Sequence, residues 1–122
     1  MPRPILPEAQ IHPAIRDRVA QLHQSTLSEV LQAVGQYPVV VIGMAGNPFV
    51  RKARKMLDAA GVSHHYLGYG SYFGEWRRRN AIKMWAGWPT LPMVFVKGTL
   101  VGGADDLDAL VRSGELARLV GP

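Results

Sequence analysis

Apolar residues recur at helical spacing near the start of the chain and then give way to a continuous apolar run. Between Ala14 and Val34 they fall close to one face of a helix, and Gly35 follows as a residue type that commonly ends helices. The run from Tyr37 to Gly43 is rich in valine, which is typical of a strand buried on both faces. The pattern therefore predicts a long helix followed by a central strand.

A second helix is expected shortly after this strand. Asparagine is a favoured N-cap and proline a favoured first helical residue, so Asn47 and Pro48 predict where the helix begins. The helix then continues to about Ala60, and Gly61 ends it.

The rest of the chain predicts shorter elements. In chain order these are a strand at 63–67, a helix at 71–85, strands at 93–96 and 100–102 joined by Lys97 and Gly98, a helix at 104–111 and a final turn or helix at 115–119. A β-α-β unit followed by a β-β-α unit predicts an α/β fold, with a mixed, mostly parallel sheet and helices on both of its faces.

The chain has 122 residues, of which 48% are hydrophobic and 19% charged, as expected for one globular domain. We expect a proline-rich, loosely ordered arm at residues 1–13 and a single domain at residues 14–122. No apolar stretch approaches the roughly 18 residues that a membrane span needs, and the start lacks the apolar centre of a signal peptide. These features predict a cytoplasmic location and no membrane partner.

Positive charge is the main electrostatic feature. The formal net charge is +5, and basic residues cluster at 51–55 and 77–79. Both clusters fall in predicted helices, where solvated basic faces are common, and no nucleic-acid-binding motif accompanies them. A small anion is therefore a better candidate partner than a nucleic acid.

The chain contains no cysteine. Thiol–disulfide exchange, covalent capture of a thiol ligand and thiolate ligation of metals all require one, so the polypeptide alone supports none of them. His64 and His65 are adjacent in a predicted strand and would point to opposite faces. We therefore predict no metal site.

Three stretches of the chain resemble glutaredoxins, and specifically the monothiol class. Residues 39–57 are similar to the family's strand, active-site loop and helix; residues 79–83 with 88–92 resemble its Trp-Pro-Thr-x-Pro segment; and residues 94–107 resemble its final hairpin and Gly-Gly-x-Asp helix start. The resemblance covers roughly residues 15–120. It implies a thioredoxin-like, glutaredoxin-type fold, in which helices flank a mixed four-stranded sheet.

The departures from this family concern its chemistry. Asn47 stands where the family has its nucleophilic cysteine, and Val50 where it has a second cysteine or a serine. Ala104 replaces a cysteine that some members carry, and Met44 replaces a common lysine. Because a carboxamide is neither a nucleophile at neutral pH nor a ligand for an iron-sulfur cluster, the resemblance implies the fold without the redox activity, and no cluster is expected.

The resemblance also implies a glutathione-binding groove, with glutathione as the one candidate cofactor. In this groove Leu91, before a cis Pro92, offers its backbone to the cysteinyl part of the ligand, and the helix start at Gly103 suits the γ-glutamyl carboxylate. Asp105 holds the ligand's amino group, and Arg79 pairs with its glycyl carboxylate. The full implied set is Arg79, Thr90, Leu91, Pro92, Gly103, Ala104, Asp105 and Asp106.

Ordinary structural roles remain open for several of these residues. Asp105 and Asp106 are also typical acidic residues of a first helical turn, Arg79 is one of three consecutive arginines, and Thr90 suits a turn. Aromatic residues such as Trp88 either pack in the core or line the groove.

Two functional hypotheses follow. In the first, the protein is a binding module that keeps the groove for glutathione, a small anionic peptide or a protein partner, without thiol–disulfide oxidoreductase activity. In the second, it is a glutathione-dependent transferase or reductase that uses the thiol of bound glutathione. The sequence favours the binding module, because Asn47 offers at best a hydrogen bond to a ligand thiolate.

Overall fold

The computed structural model describes residues 2–71 and 74–121. A short 3-10 helix lies at Glu8–Gln10. The other elements, in chain order, are α1 (Pro13–Gln21), α2 (Gln24–Gln36), β1 (Val39–Gly43), α3 (Pro48–Ala59), β2 (His65–Gly68), α4 (Trp76–Ala86), β3 (Met93–Val96), β4 (Thr99–Gly102), α5 (Ala104–Ser113) and α6 (Glu115–Val120).

The four strands form one sheet in the order β2-β1-β3-β4. Strand β1 pairs in parallel with β2 and antiparallel with β3, and β3 pairs antiparallel with β4 across an irregularity at Val94 and Phe95. The mixed, four-stranded sheet is confirmed, but the expectation of a mostly parallel sheet is wrong. Two of the three pairings are antiparallel, because β3 runs opposite to both of its neighbours, β1 and β4. The tight turn at Lys97 and Gly98 accounts for the pairing of β3 with β4.

Helices cover both faces of the sheet, and β1 contributes to both cores. Its residues Val40 and Ile42 pack with Val30 of α2 and Ile82 of α4 on one face. Its alternate residues pack on the other face with α3 and α5, in a core that includes Val39, Val41, Leu57 and Leu107. Every residue of β1 is buried, as its uninterrupted apolar run predicts.

The single helix expected over residues 14–34 is two helices. Leu22 is extended and His23 adopts the left-handed conformation (φ 49°), so helical hydrogen bonding stops between α1 and α2. Helix α2 buries one face in the core, whereas α1 buries no residue and leaves Ile15 and Val19 exposed. Gly35 lies inside α2 and does not end it.

The helix expected from Ser71 begins at Trp76. Ser71 forms an isolated antiparallel bridge with Gly74, and Glu75 is left-handed (φ 64°), so the backbone enters the helix only after this turn. Residues 72 and 73 of the expected helix lie outside the described part of the chain, as do residue 1 of the expected arm and residue 122 of the expected domain. The strand expected from Ser63 begins at His65.

Within the described ranges, every helix is too short to cross a membrane; the longest of those named above is α2, with 13 residues.

Close packing between β1 and α3 generates the first prediction. A methyl group added at Gly43 would lie 2.6 Å from Cγ1 and 2.9 Å from Cγ2 of Val50, whose β-branched side chain has little rotamer freedom in a helix. We expect Gly43→Ala to destabilise the protein by about 1–3 kcal/mol. Val50→Ala should lower the free energy of unfolding less in the Gly43→Ala background than in the wild type. Urea unfolding followed by circular dichroism of the wild type, both single variants and the double variant measures this double-mutant cycle.

Gly35→Ala is the matched control for this cycle. A methyl group there would meet nothing within 4 Å, and alanine is the better helix former by about 0.5–1 kcal/mol. Equal effects of Gly43→Ala and Gly35→Ala, or strict additivity with Val50→Ala, would contradict the packing argument.

Candidate functional site

Asn47 caps the N-terminus of α3. Its backbone is extended (φ −86°, ψ 118°), and its Oδ1 accepts hydrogen bonds from the amides of Phe49 at 2.9 Å and Val50 at 3.2 Å. The residue is only 9% exposed. The side chain at the position of the family's nucleophile therefore satisfies two amides that a helix start otherwise leaves unpaired.

The two neighbouring departures from the family are both apolar and buried. Val50 packs over Gly43, and Met44 joins the same core, which lies between the sheet and α2 and α4. Neither side chain carries charge or a reactive atom. The positions that hold a second thiol or hydroxyl and a cation in the family are here part of the hydrophobic core.

A groove of about 280 Å³ lies beside the start of α3. The bond between Leu91 and Pro92 at one side of it is cis, as the resemblance implies. The groove is lined by Phe49, Trp88, Thr90, Leu91, Pro92, Gly103, Ala104, Asp105 and Asp106. Seven of the eight residues implied as glutathione-binding thus come together, from two separate parts of the chain, residues 90–92 and 103–106.

The start of α5 forms the opposite side of the groove. Gly102 has a positive φ of 116°, and a side chain there would collide with Asp106. The carboxylate of Asp106 accepts a hydrogen bond from the amide of Gly103 at 3.0 Å. Asp106 is therefore committed to capping α5, which agrees with the structural role left open for it.

Asp105 has a different environment from Asp106. Its side chain is 90% exposed, and its Oδ1 lies 3.6 Å from Nζ of Lys52 on α3. An exposed pair at this distance is weak, so the carboxylate remains accessible from the groove. Lys52 belongs to the basic cluster at 51–55, which the sequence pattern did not connect with the groove.

Two aromatic residues line the groove. Phe49 is 56% exposed although it is apolar. Trp88 is partly buried, and its Nε1 is a buried donor with no hydrogen-bond partner among the described residues. In contrast, Trp85 contacts Phe95 in the core, with ring centroids 5.8 Å apart. Phe49 and Trp88 are thus groove residues, whereas Trp85 packs in the interior.

Arg79 does not line the groove. It is only 7% exposed, and its Nη1 donates to the carbonyl oxygens of Tyr69, at 2.9 Å, and Gly74. The loop that it holds also pairs with the segment before Asn47, since the amide of Ala45 donates to the Gly70 carbonyl at 2.8 Å. The described contacts of Arg79 thus hold Tyr69 and Gly74 in place behind the site, and its contact with a ligand carboxylate stays a prediction.

Both the backbone and the side chain of Tyr69 are held in place, since Arg79 bonds its carbonyl oxygen and its hydroxyl also has a partner. Its hydroxyl donates to Glu29 Oε1 at 2.8 Å, and the Arg78 guanidinium lies over its ring. Burial and the Glu29 carboxylate raise the pKa of the Tyr69 phenol well above its ordinary value. The tyrosine therefore stays neutral and acts as a structural hydrogen-bond donor.

The two adjacent histidines have separate surroundings. His65 stacks on Tyr37 with ring centroids 4.0 Å apart, whereas His64 Nε2 accepts a hydrogen bond from Arg54. Among the residues that the structure describes, no three potential metal-ligating side chains form a cluster.

The sheet order, the cis Pro92 and the groove between α3 and α5 define a thioredoxin-fold protein with a glutaredoxin-type site. A glutaredoxin-like protein of Dictyostelium discoideum is 45% identical over 102 residues, covering 84% of this chain and 83% of the relative. The mitochondrial monothiol glutaredoxin-5 of Schizosaccharomyces pombe is 30% identical over 113 residues, covering 88% of this chain and 77% of that protein. The chain belongs to the glutaredoxin family.

Solved structures agree with this assignment. A crystal structure of a buckwheat glutaredoxin–glutathione complex is 25% identical, with a TM-score of 0.72 over 83% of this chain and 91% of that one. A wheat glutaredoxin is 28% identical, with a TM-score of 0.70 over 82% and 95% of the two chains. No protein-family model matches the chain.

The cap at α3 generates the second prediction. Asn47→Ala removes the acceptor of two amide hydrogen bonds, and we expect a loss of about 0.5–2 kcal/mol in the free energy of unfolding. Serine is a comparable N-cap, so Asn47→Ser should retain most of the stability. Urea unfolding compares the three proteins. If Asn47→Ala unfolds at the same urea concentration as the wild type, the cap does not contribute to stability. If Asn47→Ser loses as much stability as Asn47→Ala, the loss comes from packing and not from the hydrogen bonds.

Proposed function

We propose that this protein binds glutathione non-covalently in the groove between α3 and α5 and does not catalyse thiol–disulfide exchange. The observation that carries the proposal is that the site keeps its groove but lacks a nucleophile. The groove retains the cis Pro92 and the start of α5, while Asn47 occupies the nucleophile position as a helix cap.

The binding part of the proposal rests on backbone groups and one accessible charge. Leu91 presents its backbone beside the cis proline, and the first turn of α5 has amides without helical acceptors. Such amides favour a carboxylate, while the exposed Asp105 suits an amino group. The buckwheat glutaredoxin–glutathione complex supports the same ligand for this groove.

The absence of redox chemistry is proposed because the chain has no thiol. Without a thiolate the protein forms no mixed disulfide with glutathione, and it supplies no sulfur ligand to an iron-sulfur cluster. The buried Met44 also withholds a cation that would favour an anion at the start of α3.

The enzyme hypothesis requires the protein to activate the thiol of bound glutathione. The acceptor atom of Asn47 already bonds two amides, and the residue is largely buried. We therefore favour the binding module. The cytoplasmic location and the absence of nucleic-acid and membrane partners remain predictions from the sequence, and one of the relatives above is mitochondrial.

The third prediction concerns glutathione itself. Only hydrogen bonds and exposed charges are available, so we expect a Kd of roughly 1 mM, or about −4 kcal/mol. Backbone NMR should show shifts confined to residues 90–92 and 102–106. Asp105→Ala should weaken binding several-fold through loss of the partner of the amino group. Asp108→Ala changes the net charge equally but removes a carboxylate that pairs with Arg112 at 3.1 Å on α5, so its affinity should match the wild type.

The pattern of shifts decides between the outcomes. No shifts at millimolar glutathione would overturn the proposed ligand. Shifts elsewhere on the protein would show that glutathione binds outside the groove. If Asp105→Ala and Asp108→Ala weaken glutathione binding equally, Asp105 contributes only through the net charge of the protein.

The fourth prediction tests the lost nucleophile. The wild-type protein should reduce a small glutathione mixed disulfide only at the rate of the solution without protein. Asn47→Cys frees the amides of Phe49 and Val50 for a sulfur anion, and helix N-termini lower a cysteine pKa from about 8.5 to between about 3.5 and 7.5. Because Met44 supplies no charge, we expect a pKa near the top of this range and slow turnover.

Ultraviolet titration of the thiolate and mass spectrometry of the glutathione adduct measure the variant, and the cysteine-free wild type gives the baseline. Turnover by the wild type above background would contradict the proposed function. A pKa of the introduced thiol at or above about 8.5, without an adduct, would show that residue 47 does not provide the family's thiolate position.

A further inference from the structure

One exposed face of α3 carries three basic residues beside the groove. Arg51, Lys52 and Lys55 line a shallow surface depression of about 410 Å³ together with Pro48, Met56 and Ala59. We call these six residues the basic face of α3. The positions recur at helical spacing, so the side chains lie on one side of the helix.

The charges on this face are largely uncompensated. Arg51 and Lys55 have no ion-pair or hydrogen-bond partner among the described residues, and both are exposed. Lys52 has only its exposed pair with Asp105. The neighbouring Arg54 is different, because its guanidinium lies 4.1 Å from the centre of the Tyr66 ring and it bonds His64. The free positive charge therefore belongs to the basic face.

The basic face and the groove are continuous. Pro48 lines the basic face and Phe49 lines the groove, and these two residues are adjacent in the chain. The pair formed by Lys52 and Asp105 spans the boundary, since one residue belongs to each surface. A ligand that fills the groove and extends past Phe49 would therefore meet the cations of α3.

We propose that the basic face of α3 extends the groove into a binding surface for an acidic polypeptide segment, whose backbone lies at Leu91 and whose carboxylates contact Arg51 and Lys55. This inference rests on the proposed function, because it takes the groove to be the part of the surface that glutathione occupies. It assigns the groove a larger natural ligand than a tripeptide.

The chemistry of the surface favours polypeptide over nucleic acid. The three cations lie within about 6 Å along the helix axis, and nucleic-acid affinity depends on many simultaneous phosphate contacts. The apolar Met56, Pro48 and Phe49 instead suit the aliphatic parts of a peptide.

Fluorescence anisotropy with two labelled peptides tests the inference. One peptide alternates glutamate and valine, so that its carboxylates share one side of an extended chain, and the other has glutamine in place of each glutamate. At low salt the acidic peptide should bind about tenfold more tightly, as expected from two or three exposed charge pairs. The difference should shrink at high salt, and excess glutathione should displace the peptide.

A double variant and its matched control locate the effect. Arg51→Gln with Lys55→Gln should remove most of the preference for the acidic peptide. Arg18→Gln with Lys97→Gln removes the same charge from exposed positions on α1 and in the β3–β4 turn, and should change the affinity less than twofold. Both variants should keep the NMR shifts that glutathione causes in the groove.

The outcomes separate this inference from the proposed function. If glutathione binds but the acidic peptide shows no preference, or the control weakens it equally, the extension along α3 is wrong and the groove assignment stands. If the peptide binds without competition from glutathione, the two surfaces are not one site and the inference is overturned. If a single-stranded RNA of equal charge binds more tightly than the acidic peptide, the basic face of α3 is a nucleic-acid interface and the inference is overturned.

Discussion

The N-cap of α3 connects the sheet, the groove and the missing chemistry. Asn47 follows β1 after a three-residue loop and bonds two amides of the first helical turn. Those bonds set where α3 begins and hence which side chains face the sheet. Val50 then packs onto Gly43, while Phe49 remains exposed at the groove. One hydrogen-bonded side chain thus fixes both a core contact and an edge of the candidate binding site.

The rest of the groove depends on backbone geometry rather than on the residue at position 47. Its other sides come from the cis bond before Pro92 and from the start of α5, where Gly102 adopts a positive φ beside Asp106. These segments adjoin β3 and β4, which are held by the sheet and by the helices that cover it. The groove therefore persists in the absence of a thiol, because no part of its framework requires one.

Local signals in the sequence identified the elements that local chemistry determines. The apolar run of β1 and the Asn47–Pro48 start of α3 follow directly from burial pattern and capping preference, and the cis Pro92 followed from the family resemblance. The break between α1 and α2 was not predictable in this way, since apolar spacing continues across His23 and the helix is interrupted only by the backbone conformations of Leu22 and His23. The role of Arg79 was also hidden, because its partners are carbonyl oxygens, which every residue carries. Side-chain patterns do not encode which carbonyl a buried guanidinium reaches.

A cap and a nucleophile compete for the same amides at the start of α3. A reactive thiolate at residue 47 would need the Phe49 and Val50 amides to stabilise its negative charge, whereas Asn47 satisfies both with a neutral oxygen. A functional site commonly sacrifices stability in this manner, and its loss allows stability to be regained. The burial of Met44 fits the same trend, since an apolar side chain occupies the place of a cation that would stabilise a thiolate. The substitutions at these two positions therefore have one physical explanation: once no anion forms at the helix start, the surrounding residues are free to become cap and core.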